Sequence, residues 1–245
     1  ILAFKISHSS ELSFNGLSFL GNFNQKERYP VASDFSIQDL EAFNELVIKE
    51  VNKASGNFNQ FNIITKSRRI SEGGTKLLTL GLNGEEIERI KEKDGIYSIY
   101  KIYAQILIFD LNEKKVVINY PILAQHQEFT KDMPSQDFDK EALRNIYFNL
   151  NQESSLIKEW VKSLAMINLK DSGALHLQLR SVDLDEAVKQ QLPNYLIKND
   201  RFKISTAQKF EYQLASNQNV PILPFTIGEL GNKDKLRARF SDAET

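Results

Sequence analysis

The stretch Tyr97–Phe109, YSIYKIYAQILIF, constrains this chain more than any other. Aromatic and β-branched residues fill it, which favours a strand. Successive side chains of a strand point to opposite faces. Tyr97, Ile99, Tyr103, Leu107 and Phe109 therefore share one face, and Tyr100, Ile102, Ala104, Ile106 and Ile108 share the other. Both faces are mostly apolar, as in a strand covered on both sides. A second strand-like run, Lys115–Leu123, follows the short link Asp110-Leu-Asn-Glu-Lys114. The pair predicts a long, central β-hairpin. With Lys101 and Gln105 inside it, the run is too short and too polar for a bilayer span, which needs about 20 apolar residues.

Around this hairpin the sequence predicts an α+β fold with mixed sheets and packed helices. Residues 2–8 and Leu17–Leu20 read as strands, the latter bounded by Gly16 and Gly21, and Asn22–Ser33 as a polar loop. Ser36 and Asp39 make a capping-box-like pair before Ile37, Leu40, Phe43, Val47 and Val51, which recur at helical spacing up to a stop at Gly56. Phe61–Thr65 is a short strand, Lys66–Lys76 a loop around Gly73-Gly74, and Leu77–Leu82 a strand. Glu85–Lys93 reads as a short helix ended by Gly95, with acids first and bases last as the helix dipole prefers. Helices are expected over Asp139–Leu150 and Ser155–Leu169, the latter with Leu156, Trp160, Val161, Leu164 and Ile167 on its buried stripe.

Lys170-Asp-Ser-Gly173 interrupts that stripe, and Gly173 suits a helix stop. Two α/β units are therefore expected, 1–170 and a smaller 171–245. In the second, Leu175, Leu177, Leu179 and Val182 alternate as a strand, and Asp183 with Glu186 forms a capping pattern for a short helix before Pro193. Phe202–Ile204 is a strand candidate. Ser205 with Gln208 would cap a further helix whose inner face carries Ala207, Phe210 and Leu214. Val220–Phe225 is extended, with two prolines keeping it from a central strand. Leu236–Phe240 alternates as a last strand. The chain starts at Ile1 without an initiator Met, so a removed leader is expected before it. The final residues carry no stop-like feature, so a C-terminal continuation is expected as well.

Composition narrows function mainly by exclusion. With 245 residues, 41% hydrophobic and 26% charged, the chain has the make-up of a globular protein. Thirty-one basic residues offset 32 acidic ones, and a net charge of −1 gives no global field toward nucleic acid or anionic membranes. There is no cysteine, which removes disulfides, thiolate catalysis and Cys-ligated metal. No nucleophile elbow, Walker A loop, dinucleotide fingerprint or His-Glu-x-x-His motif is present. Glu72-Gly-Gly-Thr-Lys76 lacks the first glycine and following helix of a phosphate loop and reads as a turn. Lys66-Ser-Arg-Arg69 and Lys233–Arg239 are short basic clusters that read as solvated faces. The carboxylates of Asp137–Glu141 and Asp183–Glu186 sit where helices begin, and capping accounts for them.

The three histidines are His8, His126 and His176, and none has a second histidine at metal-pair spacing. His126, with Glu128 two residues on, is the best placed for chemistry. Tyr97, Tyr100, Tyr103 and Tyr120 concentrate in the hairpin and read as core or edge residues. No catalytic, cofactor-binding or metal-binding residue is assigned, and no zinc, haem or flavin is expected.

One pattern of elements is familiar. An opening strand, the helix Ser36–Ala54, the strand Phe61–Thr65, a second helix Glu85–Lys93 and the hairpin Tyr103-Ala-Gln-Ile-Leu-Ile-Phe-Asp110…Lys115-Val-Val resemble the small α/β domain of bacterial envelope lipoproteins. Examples are the curli-secretion lipoprotein family and the N-terminal domain of the Tol–Pal translocation protein. The resemblance spans residues 1–125. It departs from the pattern in the polar insertion Asn22–Ser33 and in lacking a Thr-Gly turn, so no site residue is carried over. It implies an assembly or interaction domain of the periplasm or outer envelope, whose partners are other envelope proteins. The competing readings are a hydrolase or transferase with a site assembled from distant residues, and a small-ligand binding domain.

Overall fold

The computed structural model describes residues 10–20, 25–58, 61–65, 76–113, 115–167, 177–193, 197, 201–218, 222–223 and 225. The elements are β1 (Ser10–Phe19), α1 (Ile37–Ala54), β2 (Phe61–Ile64), β3 (Lys76–Glu92), β4 (Gly95–Asp110), β5 (Lys115–Thr130), α2 (Gln136–Phe148) and α3 (Leu156–Leu164). They continue with β6 (Leu177–Gln178), α4 (Glu186–Gln191), α5 (Arg201–Gln218) and β7 (Ile222–Leu223). The fold is α+β. A five-stranded mixed sheet runs in the order β2-β1-β3-β4-β5, and β6 and β7 pair separately in parallel. β1 is parallel to β2 and β3, whereas β3, β4 and β5 form an antiparallel meander.

The hairpin is present and longer than the sequence pattern marks, and β4 is central between β3 and β5. α1 starts at its predicted cap: Ser36 Oγ accepts from Asp39 N at 3.2 Å, and Asp39 accepts from Ser36 N at 2.9 Å. A 3-10 turn, Ser55–Asn57, finishes it around Gly56. α2 and α3 begin on the capping hydroxyls of Ser135 and Ser155.

Several expectations are corrected. Glu85–Lys93 is not a helix but the second half of β3. Paired through Glu92 with Gly95–Ile102, it turns its graded charges into cross-strand pairs: Lys101 Nζ reaches Glu88 at 2.6 Å and Tyr103 OH donates to Glu86 at 2.9 Å. Local charge order favours a helix weakly, and pairing with a neighbouring strand outweighs it. The element order behind the envelope-lipoprotein resemblance therefore changes at this point. β1 starts earlier than Leu17 and passes through Gly16, whose φ of 79° is the left-handed conformation glycine tolerates at the bulge between Phe14 and Leu17. α2 spans 136–148 and α3 spans 156–164, shorter at its end than expected. Phe202–Ile204 belongs to α5, and Ser205 and Gln208 lie inside that helix instead of capping it. α4 is capped by Asp185, not Asp183. Residues 2–8, the Gly73-Gly74 loop, the Lys170–Gly173 junction and Leu236–Phe240 lie outside the described residues.

The two sides of the sheet are built differently. On one, Leu78, Leu80 and Leu82 of β3, Ile102, Ala104, Ile106 and Ile108 of β4, and Ile118, Ile122 and Ala124 of β5 meet α1, α2 and α3. This is one contiguous core, with Phe43, Val47, Tyr147 and Trp160 buried in it. On the other side the register aligns Ser18, Thr79, Gly81, Gln105 and Asn119. That second face mixes these residues with the buried apolar side chains of Leu77, Tyr103 and Leu107, and α5 and β7 lie against it.

Candidate functional site

The antiparallel register builds one polar cluster at the far end of the sheet. Ser98 stands opposite Arg89 on β3 and opposite Glu128 on β5, while Tyr100 stands opposite His126. These side chains share the helical face, where directly opposed Cβ atoms lie about 5 Å apart. The N-terminus of α2 comes down on them because Ser135 caps it there, accepting from Phe138 N at 3.2 Å. Asp139, in the first turn, accepts from Tyr100 OH at 2.8 Å and pairs with the Arg89 guanidinium. Arg89 also donates to Ser98 Oγ at 2.7 Å, and His126 Nε2 lies 2.9 Å from Glu128. Burial, and then Asp139, push the Tyr100 phenol up, so it acts as a donor at neutral pH. Burial works to lower the Arg89 pKa, but Asp139 outweighs it and the guanidinium stays charged.

Chemically this group can hold a proton-bearing phenol, a fixed cation and a His–carboxylate pair on one partly exposed surface. Tyr100, Arg89, Ser98 and Asp139 bond to one another, so most of their polar capacity is used in joining α2 to the sheet.

A second polar centre lies deeper. Glu85 is buried on the helical face, and its Oε2 accepts from Val31 N at 2.7 Å. Its Oε1 accepts from Ala32 N at 3.0 Å and Tyr147 OH at 2.6 Å. The carboxyl thus ties the segment 25–35 and α2 to β3. Burial pushes its pKa up, against the pull of these three donors. Beside it Tyr29 donates to Leu20 O at 2.8 Å, and burial pushes its phenol up to about 12.

The third centre is at α5. Gln208 Nε2 donates to Asn83 O at 3.1 Å, and Ser205 Oγ donates to Glu86 at 2.6 Å. Lys209 pairs with Glu88 and Glu86, and Asn119 Nδ2 donates to Ile222 O. Glu211 is only 1% exposed, and among the described residues neither carboxylate oxygen has a hydrogen-bond partner of ordinary geometry. Burial pushes its pKa up to about 8, with the Phe225 backbone N–H and the Arg28 charge pulling the other way. The expected inner face of this helix is also corrected: Ala207 is buried, but Phe210 is half exposed, and Gln208 and Glu211 turn inward.

Of the residues singled out from sequence, His126 and Glu128 are brought together. Tyr100 and Tyr103 are buried and Tyr97 is exposed. Asp137 and Asp139 lie in the first turn of α2, and Asp139 also enters the cluster. His8, His176, Lys66–Arg69 and Lys233–Arg239 lie outside the described residues. Sequence reasoning missed Arg89, Ser98, Glu85 and Glu211. The alternation Glu85-Ile87-Arg89 is the signal that a strand reading of this stretch would have used. Among the described residues no group of three or more His, Asp or Glu side chains is placed to hold a metal ion. No described helix is long and apolar enough to cross a membrane. Among the described residues, shallow surface hollows lie beside Asp34, Lys140 and Arg144, of 430 Å³, and between the ends of α1 and α3, of 480 Å³.

The open end of the sheet carries one more feature. Ile90, Tyr97 and Phe129 stand in a row across β3, β4 and β5 on the second face. They are 49%, 44% and 48% exposed, and the two rings lie 5.1 Å apart. Gly95 lets Phe129 approach the backbone, since a Cβ there would fall 2.6 Å from its ring.

No protein-family model matches the chain, and no curated protein matches it. Solved structures that it is similar to include a hypothetical protein of Chlamydia trachomatis, at 7% identity and a TM-score of 0.35, over 67% of this chain and 96% of that one. A minor lipoprotein from Acinetobacter baumannii gives 9% identity and a TM-score of 0.34, over 64% and 93%. A lipoprotein of Neisseria meningitidis gives 8% identity and a TM-score of 0.27, over 58% and 99%. Likeness of this size assigns the chain to no family.

Proposed function

We propose that this chain is a non-enzymatic bacterial cell-envelope protein that acts through protein–protein contacts in assembly or secretion. The observation that carries the contact role is the exposed row Ile90–Tyr97–Phe129. An aromatic pair and an aliphatic residue aligned across three strands supply rigid apolar area, the kind of surface that anchors partner binding. The envelope placement rests on the part of the envelope-lipoprotein resemblance that the structure keeps, namely α1, β2 and the hairpin. The polar cluster around Tyr100 supports the non-enzymatic reading, because its groups are engaged in holding α2 to the sheet.

A photo-crosslinking residue at position 97 tests this in the native envelope, with position 52 on exposed α1 as control. A discrete adduct from 97, lost in Phe129→Lys, is expected. Equal labelling from both positions, or recovery of the protein in the cytosolic fraction, would overturn the reading.

The rival reading, a hydrolase or transferase, draws on His126 and Glu128 beside Tyr100. It predicts turnover of an ester or phosphoester probe that His126→Ala abolishes and Tyr97→Lys leaves intact.

A further inference from the structure

On the second-face side Leu77, Tyr103, Leu107, Ala207, Ile222 and Phe225 are buried, and to these apolar residues α5 and β7 add polar contacts with the sheet. They are made by Ser205, Gln208 and Lys209 to β3, and by Asn119 of β5 to the Ile222 carbonyl. Three side chains there hold buried acceptor oxygens without partners. Asn119 is one, and its diagonal neighbour across the ladder, Gln105, is the second. Glu211, with both oxygens unpaired, is the third. A buried carboxylate with no donor is far costlier than a buried neutral acid, so this arrangement favours the protonated form.

We propose that α5 and β7 form a releasable arm, latched over the second face of the sheet while the buried Glu211 carboxyl is neutral and freed when it ionises.

The charged groups on the elements around Glu211 are few. Arg28, from the segment before α1, is the one whose charge acts on it. It is itself bonded to Asn83, donating to Asn83 O at 2.6 Å. Glu86 and Glu88 of β3 are paired with Lys209, and Lys101 of β4 pairs with Glu88. β5 carries Asn119 on the second face, Tyr120 of β5 acts on Tyr212 of α5 and not on Glu211, and the residues after α5 present the Phe225 backbone N–H. None of these supplies the carboxylate with a hydrogen bond of ordinary geometry.

The direction follows from proton linkage. In the free arm Glu211 titrates near an ordinary glutamate, and in the latched arm much higher. Latching is therefore strongest in acid, weakens by about tenfold per pH unit between those two values, and levels off above the higher one. Release exposes Asn119, Gln105 and the inner face of α5 together. The inference is independent of the contact surface at the open end of the sheet.

Hydrogen–deuterium exchange of the full chain, expressed as protection factors from pH 5.5 to 7.5, reads the latch directly. Protection across residues 201–218 is expected to fall by about tenfold per unit, while the β3–β4 ladder keeps its protection. In Glu211→Gln and Glu211→Leu the slope should vanish. Three results would overturn the proposal: a wild-type change under twofold over the whole range, an equal loss of protection in β3–β4, or an unchanged slope in a folded Glu211 variant. Should neither variant fold, the wild-type slope and the β3–β4 control still decide it.

Discussion

Glu85 and Glu211 are both shut away from water, one against each face of the same sheet, and they are held in opposite ways. Glu85 receives two backbone N–H groups and the Tyr147 hydroxyl. Among the described residues no hydrogen bond of ordinary geometry reaches Glu211, on which only the Phe225 backbone N–H bears. The difference matches the surroundings. Glu85 sits within a contiguous apolar core and fastens three elements that stay together. Glu211 sits on α5, which meets β3 through a few polar side-chain contacts. Burial alone therefore does not say whether a carboxyl is structural. What decides is whether the fold offers it donors, since a buried polar group costs most when its partners are missing.

The sharpest way to break this comparison is to delete each carboxyl. Glu85→Ala leaves three buried donors unpaired, at about 1–3 kcal/mol each, and should cost about 4 kcal/mol or more. Glu211→Leu at pH 7.5 should be neutral or slightly stabilising, because it replaces an unpaired polar group by an apolar one. Urea unfolding checks both, and similar losses would erase the distinction.

The apolar residues sharpen it next. Trp160 is fully buried against Phe14, their ring centroids 5.5 Å apart. Trp160→Ala should cost about 3–5 kcal/mol and the native single-Trp fluorescence should be blue-shifted. Ile222→Ala, in β7, should cost less than that in global stability. Its effect is bounded by the free energy that closes the arm, which local opening can bypass. Equal losses in thermal unfolding would mean that the two faces form one cooperative unit.

The smallest effect lies at the N-cap of α1, outside either face. Hydrogen bonds from Ser36, then Arg144, hold the Asp39 carboxyl down at about 2. Its folded value is lowered, so its contribution is present above an ordinary aspartate pKa and fades as pH falls toward 2. This acid-side trend runs opposite to that of Glu211. Ser36→Ala should cost about 1 kcal/mol at pH 6 and less at pH 2.5, as read by unfolding at the two pH values. A cost that does not change with pH would show that the cap acts through the hydroxyl alone.

These contrasts also mark what was legible before the fold was known. The hairpin, α1 with its cap and the buried stripe of α3 follow from short-range chemistry, because alternation, helical spacing and a capping hydroxyl act within a few residues. The partnership of His126 and Glu128 was legible for the same reason, being two positions apart on one strand face. Glu85–Lys93 was misread because its acids and bases suit a helix dipole about as well as they suit a strand opposite Lys101 and Tyr103. Only the neighbouring strand breaks that tie. The inward turn of Glu211 was illegible in a stronger sense. Helical spacing marks Phe210 as the inner residue, yet α5 meets β3 through the polar groups of Asn83, Glu86 and Glu88.

By itself the sequence determined the fold class, the central hairpin, the principal helices and the lack of any cysteine chemistry, because each depends on composition or on near neighbours along the chain. Tertiary structure decided which face of the sheet became the core, which of two buried glutamates found donors, and where Ile90, Tyr97 and Phe129 line up in water. Those outcomes depend on strand register and on contacts between residues as far apart as Asn119 and Ile222, and no local pattern encodes them.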